Sequence, residues 1–193
     1  MDQCGELEIA RLLGCVSEQR RLQALSYKHK FGQFCCLKSY EMLVQLLQKY
    51  SSNISSEVHL NTFPSFQYNE YGQPSLLEGP YFSISHCKSA VAVVVSETHV
   101  GIDIESIRNV KQDLITKTMN EKEKSFILNA QNPELEFTKF WTKKEAYLKL
   151  KGTGINENLK NTLVSCENIE WLTKVNVEKN YVMTIAISAE QSL

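Results

Sequence analysis

The spacing of hydrophobic and polar positions divides the first half of the chain into helical and extended segments. Helical spacing predicts one helix over Ser17–Leu25 and a second over about Phe34–Tyr50. The second helix carries an apolar stripe formed by Leu37, Tyr40, Leu43, Val44 and Leu47. After a polar break, the pattern predicts a short strand at Val58–Phe63 and then a loop that reaches Gly72-Gln73-Pro74.

The middle of the chain contains three runs with the composition of strands. They lie at Tyr81–Ser85, Ala90–Ser96 and Val100–Glu105. Because the connections between them are short, we expect an antiparallel meander that forms one sheet.

Helical spacing returns after Arg108. It predicts helices at Leu114–Thr118, Glu121–Asn129 and Leu135–Leu150, and Pro133 suits the first turn of the last one.

The C-terminal part returns to strands. Glu170–Val177 and Tyr181–Ile187 predict a hairpin, with Leu163–Ser165 as a possible third strand. Helices followed by strands therefore occur twice along the chain. We expect an α+β fold built from two related halves, residues 1–99 and 100–193, with antiparallel sheets and long packing helices.

Composition excludes several classes of protein. With 193 residues, 42% hydrophobic residues and a net charge of −1, the chain can bury an ordinary core and lacks the basic excess of a general nucleic-acid binder. No apolar run approaches the roughly 20 residues of a membrane helix, and the N-terminus lacks a secretion signal. The six cysteines show no CxxC pair or zinc spacing. We therefore expect a cytoplasmic protein with reduced thiols and no membrane or nucleic-acid partner.

Two carboxylates lie on one predicted strand. Alternation projects Asp103 and Glu105 from the same face, while Ile102 and Ile104 enter the core. Neighbouring carboxylates repel each other unless one is protonated or a cation lies between them, and Mg²⁺ prefers such oxygen ligands. The alternative is a strand end at which both acids are simply hydrated.

A second group of polar residues follows helical spacing. Trp141, Glu145 and Lys149 are four residues apart and share one helix face. An exposed Glu–Lys pair at this spacing needs no function, but it leaves Trp141 unexplained. The Gly152-Thr153-Gly154 segment would end the helix and allow a ligand to approach the backbone closely.

Four ordered motifs carry a resemblance to a known family. Val100–Glu105 matches (V/I)G(I/V)D(x)E, and Trp141–Lys149 matches W(x)xKE(A/S)xxK. Tyr81–His86 matches a strand that ends in a serine-histidine pair, and Gly72–Pro74 matches a glycine-x-proline turn. The chain resembles the 4'-phosphopantetheinyl transferase superfamily, in its larger single-chain form.

The resemblance implies a fold and a reaction. The fold is a pseudo-dimer of two α+β halves, with the active site in the cleft between them, and a monomer is favoured. The reaction is transfer of 4'-phosphopantetheine from coenzyme A to a serine of an apo acyl or peptidyl carrier protein, which releases 3',5'-ADP. Such carriers serve fatty acid, polyketide or peptide biosynthesis.

The resemblance also implies catalytic roles. It assigns Mg²⁺ to Asp103, Glu105 and Glu145. Lys149 would bind the phosphates and stabilise the departing group, and Glu145 is the usual candidate for removing the serine proton. If Glu145 is tightly coordinated to the metal, a water molecule, Glu121 or Glu123 could take over that step, and the sequence leaves this choice open.

Further residues are implied at the coenzyme and carrier sites. His86 would bind the 3'-phosphate, with the Ser85 backbone beside it, and Gln73 and Pro74 would border the adenine. A pool of basic residues offers further 3'-phosphate contacts, with Lys30 and Lys38 best placed among Arg20, Arg21, Lys28, Lys30 and Lys38. A basic rim for an acidic carrier helix would contain Lys117, Lys122, Lys124, Lys143 and Lys144.

Two other functions remain open from the sequence. A metal-dependent nuclease or phosphodiesterase could use the same acids, although the chain lacks a pronounced basic stripe. A catalytically silent relative could bind only coenzyme A or a carrier protein. Retention of all three acids and of Lys149 favours the transferase over this second alternative.

Overall fold

The computed structural model describes residues 3–53, 64–155, 158–164 and 166–189. Three helices come first: α1 (Gln3–Leu13), α2 (Glu18–Ser26) and α3 (Lys30–Asn53). The predicted start of α2 is confirmed, since the Ser17 hydroxyl accepts the amide N–H of Arg20 at 3.2 Å. The hydrophobic pattern did not predict α1, and the predicted start of α3 is four residues too late.

The three helices share one apolar core. Ile9 and Leu12 of α1, Ala24 of α2, and Leu37 and Tyr40 of α3 are buried together. Further along α3, Leu43 and Leu47 pack against Phe82 in a second cluster. The predicted stripe on α3 therefore joins the N-terminal helices to the strands that follow.

Strands β1 (Phe66–Tyr68) and β2 (Pro74–Leu76) form a small antiparallel pair. Strands β3 (Tyr81–His86) and β4 (Val91–Ser96) form a hairpin in a two-stranded sheet of their own. The predicted strand at Val58–Phe63 lies outside the described residues.

The prediction of one meander sheet is wrong, because β5 (Val100–Ser106) does not pair with β4. It still runs beside β3, where the hydroxyls of Ser83 and Ser85 accept the amide N–H groups of Ile102 and Ile104 at 3.1 and 3.3 Å. Both contacts span 19 residues, so the two strands run parallel. Serine hydroxyls thus replace the backbone carbonyls of a ladder at this junction.

The C-terminal part contains three helices and a hairpin. The helices are α4 (Gln112–Thr118), α5 (Glu121–Leu128) and α6 (Pro133–Lys151), and the strands are β6 (Ile169–Asn176) and β7 (Tyr181–Ser188). The Asn132 side chain caps α6 and Pro133 lies in its first turn, as predicted. The three-stranded antiparallel sheet has the order β5-β7-β6.

The possible third strand at Leu163–Ser165 is wrong for its described residues. Residues 163 and 164 lie in turns after a short 3₁₀ segment at Leu159–Asn161, and Ser165 is not described. The third strand of this sheet is β5, which is largely buried on both of its faces and pairs with β7.

The α+β fold class is confirmed. The structural similarity of two halves, and their boundary between residues 99 and 100, remain predictions. Among the described residues, no helix has the length and apolar character needed to cross a membrane.

Helix α6 packs on β5 at very short range. A Cβ atom on Gly101 would overlap the carbonyl oxygen of Ala146 and lie 2.5 Å from the amide nitrogen of Leu150. Ala146 is fully buried at this contact. Only glycine allows the backbone of the strand to lie this close to the helix, and this contact fixes Asp103 relative to Glu145 and Lys149.

Candidate active site

A cavity of about 530 Å³ lies where β3, β5 and α6 meet. The three predicted acids share it, since Asp103 and Glu105 enter from β5 and Glu145 enters from α6. The other polar residues predicted at the site that line it are Arg20, Ser85, His86 and Lys149. Trp141, one turn before Glu145, also faces this cavity and stacks on Phe137 at 6.0 Å between ring centroids.

Lys149 is oriented by two polar partners. Its ammonium Nζ lies 2.7 Å from Asp103 Oδ1 and donates to Ser85 Oγ at 3.0 Å. Ser85 in turn donates to the same Asp103 oxygen at 2.8 Å. The Asp103 side chain is only 5% exposed, so the ion pair is shielded from water on its acidic side. Lys149 thus pairs with Asp103, which lies 46 residues earlier in the chain, rather than with Glu145 on the same helix.

The acids retain unused ligand capacity. Asp103 Oδ2 and Glu145 Oε1 are buried and have no hydrogen-bond partner among the residues that the structure describes. Burial raises the pKa of Glu145 and of Glu105, and the nearby Asp103 carboxylate raises both pKa values further. Buried, mutually repelling carboxylate oxygens are costly unless a cation compensates their charge.

The residues fit Mg²⁺ by donor chemistry. Carboxylate oxygen is the ligand that Mg²⁺ prefers, and it binds commonly through one or two carboxylates with several waters retained. Among the residues that the structure describes, no three histidine, cysteine or acidic side chains are gathered into a ready-made metal site. The two unpaired oxygens of Asp103 and Glu145 are therefore the feature that supports a cation here.

We expect the Glu145→Gln substitution to raise the melting temperature of the metal-free protein by a few degrees at pH 7. The reason is that the raised pKa of Glu145 makes its ionised form unfavourable in the folded state, and the amide removes that charge. Differential scanning calorimetry with and without MgCl₂ measures the effect.

We expect MgCl₂ to stabilise the unsubstituted protein, and the same variant should lose most of that stabilisation because it lacks one expected ligand. Glu178→Gln, in the exposed turn between β6 and β7, is the matched control and should change neither temperature. A lower melting temperature for metal-free Glu145→Gln would contradict the electrostatic explanation.

His86 lies at the end of β3 and faces the cavity. Its ring contacts Phe31 edge to face, with 6.5 Å between centroids. Burial lowers the pKa of His86, and the positive charge of Lys149 lowers it further. The imidazole is therefore neutral at pH 7, and it can donate a hydrogen bond to an anion but supplies no charge.

Among the basic residues proposed for the N-terminal region, Arg20 lines the cavity. Its guanidinium lies over the rings of Tyr40 and Phe66, at 4.8 and 5.2 Å from the centroids. Lys38 instead pairs with Glu41 at 2.6 Å and with Glu8 at 3.7 Å. Lys30 begins α3 in an exposed position, and neither lysine is among the lining residues of this cavity.

Gly72 and Pro74 line the cavity, whereas Gln73 is not among its lining residues. The Gln73 Nε2 donates to the carbonyl oxygen of Lys149 at 2.6 Å. The sequence pattern did not predict this contact, the hydrogen bond of Ser83 to β5, or that of Asn69 to the end of α6. Two serines facing one side of an otherwise apolar strand were the available signal for Ser83.

The assignment of Lys144 to a basic rim is wrong. Lys144 is 0% exposed, and its ammonium pairs with Glu123 at 2.7 Å and donates to the carbonyl oxygens of Thr118, Leu159 and Lys160, each at 2.9 Å. Glu123 also accepts the amide N–H of Asn120 in a capping box. Because both its roles are structural, Glu123 is not available as a proton acceptor at the cavity.

Comparison with known proteins finds one family whose model matches the segment that carries Asp103, Glu105, Glu145 and Lys149. Residues 99–186 match the model of the 4'-phosphopantetheinyl transferase superfamily. The 4'-phosphopantetheinyl transferase gsp of Aneurinibacillus migulanus is 33% identical over 112 residues, which are 57% of this chain and 46% of that protein.

Two further relatives cover more of the chain. The 4'-phosphopantetheinyl transferase ffp of Bacillus subtilis is 27% identical over 77% of this chain and 66% of its own length. The L-aminoadipate-semialdehyde dehydrogenase-phosphopantetheinyl transferase of Saccharomyces cerevisiae is 27% identical over 78% of this chain and 57% of its own length. The chain thus spans between 46% and 66% of these relatives. Residues 99–186 are therefore similar to the 4'-phosphopantetheinyl transferase superfamily.

Proposed function

We propose that this chain transfers 4'-phosphopantetheine from coenzyme A to a serine of an acyl or peptidyl carrier protein and releases 3',5'-ADP. The observation that carries the proposal is the meeting of Asp103, Glu105, Glu145 and Lys149 in one cavity. Three carboxylates and a lysine suit a reaction in which the protein positions a diphosphate and neutralises charge. Names of the relatives given above support the same reaction.

Mg²⁺ would be held by Asp103, Glu105 and Glu145 and would neutralise charge on the diphosphate of coenzyme A. Lys149 adds a second positive charge from the same cavity. An ammonium group has three N–H donors, and contacts within the described residues direct two of them to Ser85 and Asp103. These contacts orient the ammonium for the departing phosphate and reduce the reorganisation needed during the reaction.

Glu145 is our candidate for accepting the proton of the carrier serine. Burial and the Asp103 carboxylate raise the pKa of Glu145 in the metal-free site, so Glu145 is a stronger base than an ordinary glutamate whenever it is not coordinated to the metal. Glu121 is highly exposed and lies beside Lys124, and it does not line the cavity. This contrast favours Glu145 over both acids of α5.

The cavity draws its walls from both parts of the chain. Arg20 and Ser85 precede residue 100, whereas Asp103, Glu145 and Lys149 follow it. This arrangement supports our proposal of two related halves, 1–99 and 100–193, with the site between them. We further propose a monomeric enzyme of the cytoplasm.

We expect Arg20→Gln to raise the KM for coenzyme A by about tenfold, which corresponds to one charge-assisted hydrogen bond. The guanidinium supplies the positive charge that neutral His86 lacks for the 3'-phosphate. Steady-state kinetics with coenzyme A and with 3'-dephospho-coenzyme A separate the contribution of the 3'-phosphate from that of the rest of the coenzyme.

Dephospho-coenzyme A, which lacks that phosphate, should be used equally well by Arg20→Gln and the unsubstituted protein. The control is Arg21→Gln, since Arg21 is half-exposed and pairs only loosely with Glu18 at 3.4 Å. An equal loss for both coenzyme forms would assign Arg20 a structural role.

The rim for the carrier protein retains four of its five proposed lysines. Lys117 and Lys122 are exposed, and Lys124 and Lys143 are partly exposed. Reversing the charge of Lys122 and Lys124 should raise the KM for a carrier protein by about tenfold, because each lost ionic contact with an acidic helix weakens encounter. The KM for coenzyme A should stay constant in the same assay, and an equal loss for both substrates would argue against the rim.

The deciding experiment combines the purified protein, MgCl₂, coenzyme A and several apo carrier proteins, and weighs the carriers by intact mass spectrometry. We expect a mass gain of one phosphopantetheine that disappears with a chelator. Unchanged masses with measurable coenzyme A binding would favour a silent relative. Cleavage of DNA or RNA without coenzyme A would favour a phosphodiesterase.

A further inference from the structure

Two side-chain amides tie the end of α6 to the loop that closes the cavity. We infer that Asn69 and Gln73 are positioning residues, which hold the Lys149 end of α6 against residues 69–74 and thereby set the geometry of the coenzyme site. The inference rests on the proposed function for the identity of the ligand. Its structural basis is a set of hydrogen bonds that span most of the chain.

The last turn of a helix leaves its carbonyl oxygens without intrahelical partners. At the end of α6, Gln73 Nε2 donates to the carbonyl oxygen of Lys149 at 2.6 Å, and Asn69 Nδ2 donates to that of Gly152 at 2.9 Å. The donors lie 76 and 83 residues earlier in the chain. A loop from the first part of the chain thus caps a helix of the second part.

Asn69 uses both ends of its amide. While Nδ2 reaches α6, Oδ1 accepts the backbone N–H groups of Tyr71 and Gln73 at 3.0 and 2.9 Å. The backbone closes the same turn, since the amide of Gly72 donates to the Asn69 carbonyl at 2.9 Å. The loop is therefore held in shape by the residue that also binds the helix.

The helix end leaves little room for a looser arrangement. Gly152 adopts a left-handed conformation with φ +70°, and a Cβ atom there would lie 3.1 Å from Gln73 Oε1 and 3.2 Å from Asn69 Nδ2. Gly154 also has a left-handed conformation, with φ +61°, but an added Cβ atom there would make only an ordinary contact of 3.5 Å with the ring of Tyr71. Gly152 is thus the glycine whose small size accommodates this loop.

The consequence concerns Lys149. Its carbonyl is held by Gln73, while its ammonium is held by Ser85 and Asp103 on the cavity side. Gly72 and Pro74, which flank Gln73, line the cavity together with Lys149 and Glu145. Loss of the Gln73 donor would separate one wall of the cavity from the lysine without removing any cavity-facing charge.

Gln73→Met tests the inference, because methionine keeps the length of the side chain and removes the donor. We expect the Kd for coenzyme A, measured by isothermal titration calorimetry, to rise about three- to tenfold, the equivalent of one neutral hydrogen bond. Hydrogen exchange should also become faster at the amides of Gly152 and Thr153, which close the end of α6. Gln67→Met, on an exposed position of β1, is the matched control and should change neither quantity.

The outcomes separate the inference from the proposed function. Faster exchange with an unchanged Kd would reduce Gln73 to a purely structural cap and overturn the positioning role. Unchanged exchange and unchanged Kd would also overturn the inference. Failure of the unsubstituted protein to modify any carrier would refute the proposed transfer, while the calorimetric and exchange measurements would still decide the role of Gln73.

Discussion

Replacing Asp103 with asparagine is expected to lower kcat/KM for carrier modification by about 10³-fold, the loss typical of removing one preorganised electrostatic contact. Asparagine keeps the shape of the side chain but removes the charge that Lys149 pairs with at 2.7 Å. It also removes one of the two buried carboxylates with an unpaired oxygen. A single substitution therefore affects both the proposed metal ligands and the orientation of the lysine.

Intact mass spectrometry of the carrier over time measures this loss. Circular dichroism should show that the Asp103→Asn variant remains folded, since asparagine can still accept from Ser85. Asp113→Asn, on the exposed side of α4, is the control and should retain full activity. A loss of less than about tenfold for Asp103→Asn would mean that Asp103 lies outside the reacting centre.

The second large effect concerns stability. Replacing Lys144 with methionine is expected to lower the free energy of unfolding by about 3–5 kcal/mol, the usual cost of breaking a buried ion pair. The substitution leaves the Glu123 carboxylate buried opposite an apolar side chain. It also removes one donor from each of three backbone carbonyls, at Thr118, Leu159 and Lys160. Urea denaturation followed by circular dichroism measures the change.

A double variant isolates the charge. Adding Glu123→Gln to Lys144→Met should restore a substantial part of the lost stability, because glutamine carries no buried charge and still suits the capping box with Asn120. Lys143→Met, at the neighbouring and partly exposed position, should cost less than about 1 kcal/mol, since its ammonium lies 5.9 Å from the centre of the Trp171 ring, a weak contact at a partly exposed site. Equal losses for Lys143→Met and Lys144→Met would show that the burial of Lys144 contributes nothing.

Local patterns predicted most elements, because each depends on residues close in sequence. The hairpin of β6 and β7, the proline in the first turn of α6, and the strand that carries Asp103 and Glu105 all follow from spacing and turn chemistry. The partner of β5 could not be predicted in this way. Pairing with β7, more than 70 residues later, competes with a nearby β4, and local spacing carries no information about which pairing buries more apolar surface.

The site shows the same division. Motif residues predicted the acids and Lys149, whose side chains do line one cavity. Adjacent lysines in the helix were indistinguishable by sequence, yet Lys143 is partly exposed and Lys144 is completely buried. The difference arises from α4, α5 and the 3₁₀ segment at Leu159–Asn161, which converge on one side of α6 and supply the acceptors for Lys144.

The close approach of Gly101 to α6 has a mechanical consequence. Because the strand and the helix are in contact through their backbones, neither can tilt independently of the other. The acids and the lysine therefore keep fixed positions relative to one another. Adjustment of the cavity to the proposed coenzyme A would therefore fall to the wall formed by α2, because the loop at residues 69–74 is itself tied to the end of α6. The residues proposed for catalysis are thus fixed by β5 and α6, and the shape of the cavity depends on the position of α2.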